Sequence, residues 1–164
     1  VLILGAGGAA RAAVFGLLKE QVGSITIANR NLKRANTLVE DVKYRLTNVN
    51  AMMLDAQAVD FLEAITRADL IVNATPIGMR FGDFPFHSPL PSDMIPKNIL
   101  VSDMVYAPTE TPLLNQAKRA GAKVLGGFPM LIFQGASAFE LWMERKAPID
   151  VMINAGEMAL AELG

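Results

Sequence analysis

Cysteine is absent from this 164-residue sequence, and histidine occurs once, at His87. Without cysteine the chain can form no disulfide, no thiol nucleophile and no cysteine metal cluster. A single histidine also excludes a multi-histidine metal site. We therefore predict that the chain binds no metal.

An excess of charge of either sign is also lacking, because 15 lysines and arginines face 16 aspartates and glutamates. The net charge of -1 gives no electrostatic reason to expect a nucleic acid or a membrane surface as a partner. No apolar run approaches the roughly 20 residues of a membrane span, and no basic segment followed by an apolar one leads the chain. These absences favour a soluble, cytoplasmic protein of a reducing compartment.

Hydrophobic residues make up 52% of the sequence and charged residues 19%, which suits one globular domain with a sizeable core. The chain starts at Val1, inside an apolar run, and has no initiator methionine. From this start we expect the sequence to be a piece of a longer protein.

Short apolar runs alternate with segments of helical period, a pattern typical of βα units around a parallel sheet. We predict an α/β, Rossmann-like, doubly wound and mainly parallel six-stranded sheet with helices on both faces, followed by two C-terminal helices. The predicted strands are 1–4, 24–28, 49–54, 69–73, 99–102 and 123–125. The predicted helices are 9–21, 32–42, 55–67, a helix opening at 111–112, 131–144 and 149–163.

A Pro-rich loop at 74–97 and two unusually apolar closing helices complete the pattern. Loops of this length without regular structure tend to be functional. The apolar residues of 131–143 cover more than one stripe, so we expect that helix to pack on two sides. The predicted division is a nucleotide-binding domain at 1–127 and helices at 128–164 that pack against a second body.

A glycine-rich turn follows the first strand and matches the pattern G-x-G-x-x-A. Gly5 permits the tight turn, Gly7 lets the backbone approach a pyrophosphate, and Ala10 allows close packing of the helix on the strand. The phosphates would lie at the positive N-terminus of the helix. This pattern predicts dinucleotide binding, with a purely structural turn or an S-adenosylmethionine site as the alternatives.

The end of the second predicted strand carries no acidic residue that could bind the ribose hydroxyls of NAD or FAD. It carries instead three cations, Arg30, Lys33 and Arg34, which suit the 2′-phosphate of NADP. Cations at a helix N-terminus are unfavourable unless an anion offsets them. The segment therefore favours NADP over NAD, although an ordinary solvated helix start is the alternative.

The segment Asn73 to Met79 (NATPIGM) leaves the fourth predicted strand at the carboxyl edge of the sheet. The Thr75 hydroxyl or a backbone amide there could reach the nicotinamide ribose of a dinucleotide. A turn built around Pro76 and Gly78 explains the same residues equally well.

Five motifs occur in the order seen in shikimate dehydrogenases, and the chain resembles that family over its whole length. They are the glycine turn, NR after the second strand, NATPIGM, DMVYAPTETPLL, and the run G-x-x-M-L-x-x-Q-G-A-x-A-F-E-L-W. The resemblance implies reversible, NADPH-dependent reduction of 3-dehydroshikimate to shikimate in the chorismate pathway of aromatic amino acid biosynthesis. Quinate/shikimate dehydrogenases share these motifs, so the choice of substrate stays open.

The resemblance also implies roles for individual positions. The pyrophosphate would be held by Gly5, Ala6, Gly7, Gly8 and Ala9. The adenosine ribose and its phosphate would be held by Asn29, Arg30, Asn31, Lys33 and Arg34. The nicotinamide end would be lined by Thr75, Met104 and Gly127, and the substrate would be reached by Tyr106 and Gln134. Two positions depart from the family pattern, since Asn31 replaces a threonine and Pro129 a glycine.

No catalytic residue is predicted within this chain, because the family resemblance assigns proton transfer to a Lys and an Asp in a domain preceding the glycine turn. We therefore expect the chain to bind NADPH without turning over shikimate, and to self-associate through 131–163 or to contact that domain. A stand-alone NADP-binding regulatory or scaffold module is the alternative function.

Overall fold

The computed structural model describes residues 1–45 and 48–163 and contains a six-stranded sheet in which every described strand pair is parallel. The strands are β1 (Leu2–Leu4), β2 (Ile25–Asn29), β3 (Val49–Met53), β4 (Leu70–Asn73), β5 (Leu100–Asp103) and β6 (Lys123–Leu125). The helices are α1 (Gly8–Lys19), α2 (Leu32–Val42), α3 (Val59–Arg67), α4 (Pro112–Ala120), α5 (Gly127–Met143) and α6 (Ile149–Leu163), with a 3-10 turn at Ser92–Met94. The predicted Rossmann-like fold is confirmed.

The core lies on both faces of the sheet, as the alternation in β1 illustrates. Ile3 joins the core formed with α1 and α2, whereas Leu2 and Leu4 join the core formed with α3 and α4. All three side chains are fully buried. A strand buried on both sides has to be apolar at every position, which is why this segment reads as a continuous hydrophobic run.

The strand order is β3-β2-β1-β4-β5-β6. The chain therefore winds outward from β1 in one direction to β3 and then crosses to the other side of β1 at β4. A crevice opens at such a reversal, at the carboxyl ends of the strands, and it is the usual ligand site of an open α/β sheet. The loops that leave β1, β4 and β5 all meet there.

Two helices begin four residues from their predicted starts, whereas the other boundaries lie within two residues of the prediction. The helix expected from Asp55 begins at Val59, because the Asp55 carboxylate accepts a bond from the Gln57 amide in a separate turn (3.0 Å). The helix expected from 131 begins at Gly127, so the predicted division between 127 and 128 falls in its first turn. Pro129 fits that turn because the first amides of a helix have no intrahelical acceptor.

The closing helices expose large apolar side chains on more than one side, and we call this exposed surface the α5–α6 face. Its exposed side chains are those of Phe133, Leu141, Trp142, Met143, Val151 and Met158. The helices cross closely, since a Cβ at Gly156 would lie 2.8 Å from the Phe128 ring. No helix in the described part of the chain is both long and apolar enough to cross a membrane.

Candidate functional site

Gly5 forms the turn between β1 and α1. Its φ is +108°, its amide donates to the Ala28 carbonyl (2.7 Å), and a Cβ there would lie 2.9 Å from the Ala74 oxygen. Backbone in this region is strained for any residue with a side chain. Glycine is therefore required here both by the turn and by the close approach of the loop that follows β4.

Gly7 and Gly8 lie at the N-terminus of α1 and differ from Gly5 in their surroundings. Neither would bring a Cβ within 4 Å of another described heavy atom. Gly7 is the N-cap, no side chain caps the helix, and its first turn has no acidic residue. The helix N-terminus is thus open to an anion. Ala10, one turn further along, is fully buried, as the close packing of α1 on β1 requires.

A cavity of about 550 Å³ lies beside this helix terminus. One wall is the loop that follows β4, and the opposite wall is the loop that follows β5. Its lining residues are Gly7, Gly8, Ala9, Ala74, Thr75, Pro76, Met79, Phe81, Met104, Val105, Tyr106 and Ala107. Among these described residues, Tyr106 is the only one whose side chain is ionisable.

A smaller cavity of about 350 Å³ lies on the other side of the glycine turn, between α1 and α2. Its lining residues are Ala6, Gly7, Gly8, Arg11, Arg34, Thr37 and Leu38. Gly7 and Gly8 line both cavities, so the two spaces meet at the N-terminus of α1.

The basic segment after β2 begins with an ordered turn. Asn29 donates to the Asn31 carbonyl (2.9 Å), and the Asn31 side chain caps α2 by accepting from the Arg34 amide (3.3 Å). Asparagine therefore provides the capping contact at this position. Arg34 lines the smaller cavity, whereas Arg30 and Lys33 are exposed and do not. Within the described ranges none of these three cations forms an ion pair.

Arg11 and Thr37 are two lining residues that sequence reasoning missed. Arg11 follows Gly7 by one helical turn, and its guanidinium pairs with Asp41 of α2. Thr37 follows Arg34 by three residues and so shares its side of α2. Helical spacing from the predicted ligands would have found both residues.

Thr75 uses its polar groups within its own loop. Its amide and hydroxyl donate to the Asn73 side-chain oxygen (3.0 and 2.6 Å), and the hydroxyl accepts from the Ile77 amide (3.3 Å). Gly78 closes the turn with φ +89°. Of the two explanations of NATPIGM, the structure contains the turn, and Thr75 lines the 550 Å³ cavity as part of it.

Asp103, at the end of β5, is the most buried ionisable side chain described, with 1% of its surface exposed. It accepts hydrogen bonds from Asn73, from the Val105 amide and from Thr111 (2.9, 3.0 and 2.6 Å). Burial raises the pKa of this carboxyl above its usual value, and the three hydrogen bonds oppose that shift. Asp103 thus anchors the turn after β5.

Two further predicted positions lie on or beside α5. A Cβ at Gly127 would lie 2.6 Å from the carbonyl oxygens of Met104 and Val105, so glycine allows α5 to begin against the loop after β5. Gln134 is exposed, donates to the Leu131 carbonyl (3.0 Å) and is not among the residues lining the 550 Å³ cavity. Tyr106 is 41% exposed and does line it.

Two family models match the chain. Residues 1–77 match the model described as Shikimate / quinate 5-dehydrogenase, and residues 127–155 match the model described as Shikimate 5'-dehydrogenase C-terminal domain. The shikimate dehydrogenase (NADP(+)) of Methanocella arvoryzae is 43% identical over 160 residues, which cover 98% of this chain and 56% of that protein.

The chain also resembles solved structures over almost its whole length. Shikimate 5-dehydrogenase from Thermus thermophilus, in complex with NADP(H) and shikimate, has a TM-score of 0.80 at 37% identity, over 97% of this chain and 54% of that one. Quinate dehydrogenase from Corynebacterium glutamicum, in complex with NAD, has a TM-score of 0.84 at 27% identity, with the same coverage of 97% and 54%. The chain therefore spans about half the length of the relatives it matches.

Proposed function

Because the chain belongs to the shikimate dehydrogenase family, we propose that it is the NADP(H)-binding portion of an oxidoreductase that interconverts 3-dehydroshikimate and shikimate. The observation that carries this proposal is the pair of cavities that meet at the uncapped N-terminus of α1. A dinucleotide has two halves joined by a pyrophosphate, and this site offers a space for each half with an anion site between them.

The residues fit NADP(H) in the following way. Gly5 to Ala9 hold the pyrophosphate with backbone amides, because Gly7 and Gly8 leave open space where a side chain would stand. Asn29 to Arg34 hold the adenosine ribose and its 2′-phosphate. Thr75, Met104 and Gly127 are assigned to the nicotinamide end, and Tyr106 and Gln134 to the substrate.

The preference for NADP rests on charge at the end of β2. The strand ends at Asn29 rather than at an acid, and the first turn of α2 holds no acidic residue to offset Lys33 and Arg34. A phosphate bound beside Arg30 and Arg34 would relieve that imbalance, which a bare ribose hydroxyl cannot do.

Bound NADPH would supply the hydride for reduction of the ketone. The chain's own residues bind and orient it, and the apolar walls of the larger cavity, among them Met79, Phe81 and Met104, exclude water. None of the described residues that line this cavity is Lys, Asp, Glu or His, and Tyr106, the one ionisable side chain among them, is assigned to binding the substrate. We therefore propose that the proton partner lies outside this chain, in the domain that the family resemblance assigns to it. A cytoplasmic location, expected from composition, belongs to this proposal.

The test is a titration of the 164-residue chain with NADPH and with NADH, in which binding is measured by calorimetry or by cofactor fluorescence. Arg30→Ala is expected to weaken the binding of NADPH by about 1.5 to 3 kcal/mol, which is what hydrogen bonds to a charged group contribute. The binding of NADH should be almost unchanged. Arg119→Ala, which removes an exposed arginine of α4, is the matched control. Equal losses for both cofactors in Arg30→Ala would contradict the assignment of the 2′-phosphate site.

A further inference from the structure

Three buried polar side chains lie behind the walls of the 550 Å³ cavity without lining it. Asn73 and Thr111 are fully buried, and Asp103 is 1% exposed. They belong to β4, to the N-cap of α4 and to β5 respectively. A buried carboxylate is costly, and apolar side chains of similar size would stabilise such a position at least as well. Stability alone therefore gives no reason for a carboxylate here.

Asn73 and Asp103 connect two neighbouring strands at the point where each one ends. The two residues are partners in the β4–β5 register, and the Asn73 side-chain amide donates to Asp103 Oδ1 (2.9 Å). This bond lies at the base of the crevice, where the loops that form the two cavity walls depart.

Each residue of the pair also holds the first residues of its own wall. Asn73 Oδ1 accepts the amide and the hydroxyl of Thr75 (3.0 and 2.6 Å), and Asp103 Oδ1 accepts the amide of Val105 (3.0 Å). Thr75 and Val105 both line the cavity. The bonds thus run without interruption from one wall to the other.

We propose that Asn73 and Asp103 are positioning residues that set the separation of these two walls and so the affinity for the nicotinamide half of NADP(H). This inference rests on the proposed function. Thr111 completes the arrangement, because its hydroxyl donates to Asp103 Oδ2 (2.6 Å) and fixes the carboxylate against α4. Neither residue of the pair touches the cofactor in this proposal.

Two ligands separate positioning from general stability. NADPH would occupy both cavities, whereas adenosine 2′,5′-bisphosphate would reach only the adenosine half and the anion site. Asn73→Ala removes the bond between the walls, and Asp103→Asn keeps the size of the side chain but replaces one acceptor oxygen with an NH2 group, so that one of the three donors facing residue 103 loses its acceptor. Asp69→Asn is the control, since it makes the same substitution at an exposed position preceding β4, away from the cavity.

We expect Asn73→Ala to lower the affinity for NADPH by about tenfold or more, and Asp103→Asn to lower it by about threefold or more. Each tenfold change corresponds to about 1.4 kcal/mol. The affinity for adenosine 2′,5′-bisphosphate should change less than about twofold in both variants, and Asp69→Asn should match the wild type for both ligands. Thermal unfolding identifies the folded temperature range for each variant. If Asn73→Ala does not fold, Asp103→Asn decides the question.

The outcomes are distinct. Equal weakening of the two ligands, or destabilisation with unchanged affinity for both, would overturn the positioning role and leave the proposed function intact. A wild-type chain that binds neither ligand would overturn the proposed function and this inference with it.

Discussion

Two glycines of the β1–α1 turn should respond in opposite ways to the addition of one methyl group. Gly5 has φ +108° and would place a Cβ 2.9 Å from the Ala74 oxygen, whereas Gly7 has φ -94° and would place its Cβ in open space. Gly5→Ala therefore tests the turn, and Gly7→Ala tests the ligand approach.

The cost of Gly5→Ala can be estimated from its two faults. Strained backbone costs about 1 to 3 kcal/mol, and forcing a methyl group against a packed backbone oxygen costs about 1 to 3 kcal/mol. The smaller entropy of the unfolded chain offsets about 0.4 to 1 kcal/mol. We expect a loss of about 3 kcal/mol in the free energy of unfolding, or about 6 to 12 °C in the midpoint of thermal unfolding.

Gly7→Ala should leave stability almost unchanged and impair binding. Alanine is the poorer N-cap by about 0.5 to 1 kcal/mol, but the gain from unfolded-chain entropy is of the same size. The methyl group would occupy the space assigned to the pyrophosphate and separate it from the amides of α1. Losing one such charged hydrogen bond costs about 2 kcal/mol, or about thirtyfold in the dissociation constant of NADPH.

Urea unfolding and NADPH titration of both variants provide the readout. If Gly7→Ala bound NADPH as tightly as the wild type, the pyrophosphate could not lie where we place it. If Gly5→Ala were as stable as the wild type, the account of the turn would be wrong.

Three other expectations follow from the buried carboxyl, the α5–α6 face and the cavity lining. Because burial raises the pKa of Asp103, the folded chain keeps this proton to a higher pH than the unfolded chain. The contribution of this proton to the free energy of unfolding is complete below the pKa that Asp103 has in the unfolded chain. It is lost as the pH rises through the pKa that Asp103 has in the folded chain. Relative to Asp103→Asn, the free energy of unfolding should therefore fall as the pH rises above the ordinary pKa of an aspartate, and a rise in urea titrations would refute this. Trp142 and Leu141 are 81% and 80% exposed, a surface typical of an interface, so Trp142→Glu should reduce self-association in sedimentation equilibrium. Tyr44→Glu, at a position 88% exposed outside this face, should have no effect, and a wild-type chain that is monomeric at high concentration would contradict the expectation. The purified 164-residue chain should bind NADPH and show no oxidation of shikimate in an absorbance assay for NADPH formation, whereas robust turnover would overturn the location assigned to the proton partner.

Much of the fold could be predicted because buried parallel strands have to be apolar on both sides. β6, α2 and α6 have the predicted limits, and Pro112 opens α4 behind the N-cap Thr111 as expected. The start of α5 was missed because its first turn contains Gly127 and Pro129, which usually indicate a loop. Proline is tolerated there since the first turn needs no amide donor, and glycine is required by contact with another loop. Neither reason is visible in local sequence.

The candidate site was predictable where it depends on backbone and less so where it depends on partners. The roles of Gly5 and Gly7 follow from the spacing of the glycine turn. By contrast, the sequence does not show the hydrogen-bond partners of the Thr75 hydroxyl, which was therefore expected to bind a ligand. The structure shows that this hydroxyl bonds to Asn73 and Ile77. The bond between Asn73 and Asp103 joins residues 30 positions apart. It could have been inferred from the sequence, because both residues end strands that neighbour each other in a doubly wound sheet.

The tight contact at Gly127 couples the position of α5 to that of the loop that follows β5. The first turn of this helix lies against the backbone of Met104 and Val105 with no room for even a methyl group, so the helix and that cavity wall have to move together. With 17 residues, α5 is about 26 Å long, and its far end carries the exposed Leu141 and Trp142. If a partner bound those two side chains and shifted them, α5 would move with them. The loop that contacts the first turn of α5 would then also move, at the place where the nicotinamide is proposed to bind.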